Sequence, residues 1–411
     1  MIFKLRTIIF FTLTTTLFFS CNKSRSNSNE GAITNNNEDK IIGIVSNQYD
    51  ILYDSVENRE SKKRYIPRSI ENNEIKFVSS HDWTSGFYAG SLWYLYDLTG
   101  QNKWKERALK YTLKLDSVKY YTGNHDIGFM MESSFGNAMK FDSSNKFDEV
   151  IVQSAKSLLT RFRPQAGIIQ SWDSKIHFEE GKWRCPVIID NMMNLELLFH
   201  ATELSGDSIY HDVAVSHANK TIENHFRPDN SSYHVVDYDI ESGEIISKST
   251  HQGFADNSDW ARGQAWGLYG FTVMYRFTKN PIYLDQAIKI AEFIKNHPNL
   301  PDDSIPYWDY DVDITESTSR DASAAAITAS ALLELIKYVQ EDNKSNEYLK
   351  WAKIILENLS SDSYLARNGS NKGFILMHSA GIVPYGKEID VPLNYADYYY
   401  LEASSRLRKL K

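Results

Sequence analysis

One spacing recurs through this chain and limits what it can fold into. Leu98, Leu204 and Phe277 each close an apolar run, and each leads into a polar turn: Thr99-Gly100-Gln101-Asn102, Ser205-Gly206-Asp207 and Thr278-Lys279-Asn280. Six residues after each closing residue stands an aromatic (Trp104, Tyr210, Tyr283), and four further an alanine (Ala108, Ala214, Ala287). Tyr348 and Ala352 repeat the last step. Residues four apart share a helix face, so each unit reads helix, tight turn, helix, with the aromatic and the alanine turned toward a neighbour. The aromatics stand between 65 and 106 residues apart, so further helices or long loops separate the units.

Repeated helical hairpins either run on as an open solenoid or close into a ring. Ten to twelve helices are readable, among them 86–98, 102–116, 145–162, 189–204, 208–225, 260–277, 281–297, 321–339, 345–359 and 395–409. That count suits six hairpins in a closed double ring, an all-α (α/α)6 barrel. The segments Asp82 to Gly90, Asp190 to Leu198, Trp260 to Gly270 and Arg320 to Ala326 all open such helices, which predicts one shared barrel mouth. Short β segments are expected in the loops at 165–187 and 231–248, where glycines and alternation occur. The rest from about residue 41 reads as one helical domain, 41–411.

The first twenty residues read as a targeting segment. Lys4 and Arg6 give a positive start, and Ile8 to Phe19 is apolar but too short to span a bilayer comfortably. Ser20-Cys21 follows, the pattern of a lipoprotein signal, so Cys21 is the expected lipidated first residue of a cell-envelope protein facing the periplasm. Residues 21–40, rich in Ser, Asn, Glu and Lys, read as a flexible tether. With Cys21 consumed, Cys185 is the one remaining thiol and no intramolecular disulfide is expected.

Two short runs carry acids in unusual company: His125-Asp126-Ile127-Gly128-Phe129 and Ile189-Asp190-Asn191-Met192-Met193-Asn194. A carboxyl among apolar and small residues is desolvated, which raises its pKa and lets it keep a proton near neutral pH. Two such carboxyls are the minimum for acid/base work on a sugar. Aromatics make up 13% of the chain and offer stacking surfaces. Arg262 and Trp266, four apart on one helix, suit a planar anionic sugar, the guanidinium for its carboxylate and the indole for its ring; Trp83 reads the same way. The net charge of −8 argues against nucleic acid, while a local collection of Arg262, His234 and Gln252 still suits an anionic small molecule. There is no Gly-rich phosphate loop, no Gly-x-Ser-x-Gly elbow and no supported metal-ligand spacing, so neither cofactor nor metal is expected.

Six runs in order, Asp82 to Phe87, His125 to Phe129, Asp190 to Leu195, Trp260 to Gly267, Asp321 to Ala326, and Glu388 to Pro392 with Tyr395 to Tyr399, resemble the unsaturated glucuronyl hydrolases, glycoside hydrolase family 88. The resemblance implies the (α/α)6 barrel and an exo-acting enzyme. Its substrate would be the 4,5-unsaturated uronic acid that polysaccharide lyases leave at a non-reducing end. It implies protonation of C4, hydration of the double bond at C5 and collapse of the hemiketal with loss of the aglycone. Asp190 matches the family's acid/base and Asp126 its second aspartate. His125, His234, Gln252 and Trp172 match substrate-contacting positions, and Ser379 and Lys387 stand where a second sugar or a sulfate would be met. An unsaturated rhamnogalacturonyl hydrolase and a catalytically silent glycan-binding lipoprotein are the alternatives. The Asn-, Ser-, Lys- and Tyr-rich composition resembles marine Bacteroidetes proteins and points to ulvan as the polysaccharide.

Overall fold

The computed structural model describes residues 27–59, 63–142, 144, 146–173 and 183–410, with side chains from residue 38 onward. The targeting segment and Cys21 lie outside the described residues. The chain divides into Met1–Ile41 and Ile42–Lys411. The helix Asn27–Glu57 corrects the expected tether over residues 27–40, which are helical. Once a helix is nucleated, each added residue gains a hydrogen bond for one residue ordered, so even a polar Asn-rich stretch extends it.

Ile42–Lys411 alternates outer and inner helices. Residues 42–57, Asn102–Leu113, Asp148–Leu159, Ser208–His225, Pro281–Asn296 and Asp342–Leu359 make the outer ring. The inner ring holds Ser85–Thr99, the joined turns Ile127–Met131, Glu132–Gly136 and Asn137–Phe141, then Leu195–Ser205, Ala261–Thr278, Ala322–Leu335 and Asn394–Arg408. Each inner element packs on the next, and Asn394–Arg408 packs back on Ser85–Thr99. The ring closes, and the fold is the expected (α/α)6 barrel.

The recurring spacing is the inward stripe of the outer ring. Trp104, Ala108, Tyr210, Ala214, Tyr283, Ala287, Tyr348 and Ala352 are all buried. Inner helices are buried all round, as when every residue from Ala322 to Leu335 is enclosed, so their sequences are apolar and small on every face. The polar turns end inner helices in the left-handed region at Gly100 (φ 66°), Gly206 (φ 73°) and Lys279 (φ 55°). Their N–H groups return to the carbonyls of Tyr96, Thr202 and Tyr275.

The expected β segments are short antiparallel ladders. Phe162–Arg163 pairs Ile168–Ile169, and Pro186–Ile188, Val235–Tyr238 and Ile245–Ser249 form a three-stranded sheet in that order. One hairpin was not expected: Ile66–Glu71 pairs Glu74–Val78 across Asn72 and Asn73, both at positive φ. Two left-handed residues make the tight turn whose twist matches its strands, and Asn tolerates that conformation. Among the described residues no helix is long and apolar enough to cross a membrane.

Candidate active site

At the N-terminal ends of the inner helices a cavity of about 280 Å³ opens. Of the expected site residues, Trp83, Asp126, Trp172, Asp190, Gln252 and Arg262 line it. The small sheet explains how residues so distant in sequence meet. Ile188 pairs Val235, and just beyond that pair the Ile189 N–H donates to the His234 carbonyl at 3.1 Å, setting Asp190 beside His234. On the sheet's other side the Ser171 N–H donates to the Pro186 carbonyl at 2.9 Å, and the His125 N–H to the Ser171 carbonyl at 3.1 Å. Asp126, Trp172, Asp190 and His234 are thereby ranked across one mouth.

Asp126 and Asp190 are each 7% exposed; Asp126 stands at the N-cap of Ile127–Met131 without a side-chain capping bond, and Asp190 lies in the first turn of Ile189–Asn194. Asp190 Oδ1 has no hydrogen-bond partner. Burial pushes the Asp190 carboxyl up to about 7, against the opposing pull of Arg262, a backbone N–H and Trp266. Burial likewise raises Asp126 well above the carboxylate range, with repulsion from Asp190 and then Asp82 adding to it and Arg161 opposing. Burial therefore favours the protonated form of both carboxyls, and their mutual repulsion opposes ionising the two together.

Each acid is faced by a neutral imidazole. His234 Nδ1 accepts the backbone N–H groups of His251 (3.0 Å) and Gln252 (3.1 Å), which leaves the ring proton on Nε2, 3.9 Å from Asp190 Oδ1. His125 Nε2 lies 3.3 Å from Asp126 Oδ1. Burial drives the His125 pKa down to about 3 and that of His234 well below its ordinary value. The Trp172 ring stands edge-on to His125, His234 and His251 at centroid distances of 6.4, 6.3 and 5.6 Å.

Arg262, Trp266 and the pair Ser379 and Lys387 stand in settings that the local sequence did not indicate. Arg262 is no unengaged carboxylate grip: its Nη1 donates to Asp321 at 2.7 Å and to the Ala380 carbonyl, and its Nη2 to the Gly381 carbonyl at 2.8 Å. Arg68 and Arg262 both line the cavity and both are ion-paired, and His234 is held neutral by burial. Trp266 offers no stacking face. Its ring is fully buried behind the wall, edge-to-face with Phe129 and Tyr399, and its indole N–H approaches Asp190 without closing a hydrogen bond. Ser379 and Lys387 do not line the cavity: Ser379 is enclosed in a bridge to Val391, and Lys387 is exposed on the turn 382–387.

The lining also holds Arg68, Asn124, His251, Glu388 and Tyr395, which sequence reasoning did not assign. Arg68 clamps Glu388 through Nε (2.7 Å) and Nη2 (2.9 Å), and Asp82 through Nη1 (3.0 Å). It thereby braces the strand pair, the loop carrying Trp83 and the C-terminal loop. Burial alone would raise Glu388, but Arg68 and Lys76 outweigh it and hold that carboxylate low. Glu388 and Tyr395 stood inside the runs quoted above, and their presence there was the available signal.

The model of Glycosyl Hydrolase Family 88 matches residues 58–400. The chain belongs to glycosyl hydrolase family 88. This family 88 chain is 46% identical over 368 residues to an unsaturated glucuronyl hydrolase of Formosa agariphila, covering 87% of this chain and 90% of that protein. It is 36% identical over 356 residues to the unsaturated glucuronyl hydrolase of Bacillus sp. strain GL1, covering 84% and 91%. A crystal structure of an unsaturated glucuronyl hydrolase specific for heparin superposes with a TM-score of 0.85 at 43% identity, over 91% of this chain and 98% of that one. The protein is a glycoside hydrolase, which sets aside the silent binding lipoprotein; the rhamnogalacturonyl alternative is not favoured by these relatives. Two further clusters of the family 88 fold have ligand atoms within 4.8 Å of one another: Glu132, Glu196 and His200, and Asp259, His297 and Asp311. Neither lines the cavity.

Proposed function

We propose that the enzyme removes a 4,5-unsaturated uronic acid from the non-reducing end of lyase-generated oligosaccharides. The observation that carries this reading is the pair of buried carboxyls in one cavity, with Asp190 able to hold a proton near neutral pH. The C4=C5 bond of such a sugar is an enol ether of the ring oxygen. Asp190 gives its proton to C4, and positive charge spreads over C5 and the ring oxygen. Water adds its oxygen to C5 and returns a proton to Asp190. The hemiketal opens to a 5-keto acid, and the hemiacetal left at C1 expels the aglycone as an alcohol. Asp126 holds the sugar's hydroxyls and steadies the developing charge, while Trp83 and Trp172 bound the ring. Neither aspartate attacks the anomeric carbon, so the carboxyl spacing that distinguishes retaining from inverting glycosidases has no bearing. Ser379 and Lys387 lie on the C-terminal loop whose Gly381, Ile382 and Glu388 line the cavity, and there they would meet a second sugar or a sulfate.

The test is loss of the ultraviolet absorbance of the conjugated alkene, run beside a saturated glucuronide. Turnover confined to the unsaturated sugar is expected; comparable rates on both would overturn the hydration mechanism. The names of the relatives span glucuronyl and heparin-derived substrates. Among lyase digests of ulvan and glycosaminoglycans we expect ulvan to be the preferred source, on the compositional grounds above. We also propose that Cys21 is lipidated and anchors the enzyme to the cell envelope, because Lys4, Arg6 and the apolar run to Phe19 precede Ser20-Cys21. Cys21→Ala should move the protein from the membrane to the soluble fraction or block its maturation.

A further inference from the structure

One amide ties the two acid-bearing runs together. Asn194 ends the turn that opens at Ile189 and is fully buried. Its Oδ1 accepts the backbone N–H of Phe129 at 2.8 Å. A backbone N–H only donates, so the oxygen of Asn194 must stand at that end and its NH2 at the other. The NH2 meets His125 Nδ1 at 3.2 Å. A ring nitrogen facing an NH2 acts as acceptor, which puts the proton of the neutral imidazole on Nε2, the atom 3.3 Å from Asp126 Oδ1, a contact that closes no hydrogen bond in this structure. Gly128 makes the close approach feasible: a Cβ there would stand 2.5 Å from both Cα and Oδ1 of Asn194.

We infer that Asn194 is a positioning residue for the reaction: it sets the tautomer of His125, so that an N–H and not a lone pair faces Asp126. An N–H supports Asp126 as an acceptor for substrate hydroxyls and for developing positive charge. A lone pair at Nε2 would instead require a proton on Asp126, which would take away the anionic acceptor that the sugar's hydroxyls and the developing charge need. The inference rests on the proposed role of Asp126 in uronide hydration; the tautomer does not depend on that role.

The test uses full-length protein labelled with nitrogen-15 histidine and long-range nitrogen–proton correlation at neutral pH. The His125 signals are assigned by their disappearance in His125→Gln. Wild type should show a protonated Nε2 and a bare Nδ1. Asn194→Asp keeps the acceptor for Phe129 but sets an oxygen against Nδ1, so a proton should move onto Nδ1. Turnover should fall on the order of 10–100-fold, the range for loss of an orienting partner, with KM changed less than about threefold. A wild type protonated on Nδ1 would overturn the inference, as would a folded Asn194→Asp with an unmoved proton or with unmoved turnover. If that variant does not fold, Asn194→Ala serves: it removes the NH2 and should give a mixture of tautomers, and an unchanged ring would equally overturn the inference. Wild-type failure on every unsaturated uronide would remove the proposed function and leave the tautomer result standing by itself.

Discussion

The barrel interior buries acids at both ends of its inner helices, and it treats Glu334 and Glu402 differently from Asp126 and Asp190. At the C-terminal ends Glu334 is met by Arg276 at 3.0 Å and Arg406 at 2.9 Å. Glu402 accepts from Tyr94 and Ser330, both at 2.6 Å, and from Tyr269 at 3.1 Å. Burial alone would raise Glu334, but the two arginines outweigh it and hold that carboxylate low. Glu132 likewise raises His200 to about 9 against the effect of burial. Cations also suit this end, where the helix dipoles are negative. Among the described residues no arginine stands at hydrogen-bond distance from Asp126 or Asp190 at the N-terminal ends, and both are pushed up. Burial is common to both ends; the supply of donors differs. Glu334, held by two arginines, stays ionised and structural, whereas Asp190, with an unpartnered oxygen, keeps a transferable proton.

The most severe way to break the contrast is Asp190→Asn. It preserves shape and removes the acid, so turnover should fall on the order of 10²–10⁴-fold while substrate still binds. Steady-state kinetics and substrate binding by calorimetry check this, and near wild-type turnover would transfer the acid role to Asp126. In wild type, activity should fall as pH rises through about 7, because the proton on Asp190 is lost there.

At the other end, Glu334→Gln strips the shared partner from Arg276 and Arg406. Because Glu196 and Glu402 remain near those arginines, the expected loss is about 3 kcal/mol, at the lower end for a broken buried pair. Denaturant unfolding measures it, and kinetics on the folded variant should hardly change.

The pH dependence of stability sharpens the comparison through its sign. The folded state raises Asp190 from 3.8 to about 7, so between those values it binds more protons than the unfolded chain and loses stability as pH rises. About three units at about 1.36 kcal/mol each bound the effect near 4 kcal/mol; with repulsion shared with Asp126, roughly 2 kcal/mol is expected. Asp190→Asn should therefore be more stable than wild type at pH 8 and not at pH 4. Glu334 runs the other way: its contribution is present above pH 4.5 and lost as pH falls. Unfolding curves at several pH values should show opposite trends for the two variants, and parallel trends would sink the distinction. The smallest effect belongs to Lys387, exposed on the rim; Lys387→Ala should change KM for an unsulfated substrate by less than about threefold, as suits a solvated charge.

Much of this was legible along the chain. The spacing from Leu98 to Ala108 and its copies marked the outer stripes, and the runs around Asp126 and Asp190 marked the acids. The hairpin Ile66–Val78 was not, because its turn is Asn-Asn without glycine and its strands are short. Arg68 escaped for the same reason: an arginine in an unrecognised strand carries no local mark of the loops it will clamp.

Local sequence determined the periods, the turns and the desolvating company of each acid, since these depend on residues within a few positions of one another. Only the tertiary structure decided that Arg262 would spend its donors on Asp321 and the 380–381 carbonyls, that Trp266 would sit behind the wall, and that Asn194 would reach His125. Those outcomes rest on pairs 59 to 137 residues apart in the chain. Hydrogen-bond partners are assigned by closure of the ring, and no spacing along the chain encodes which donor is used up first.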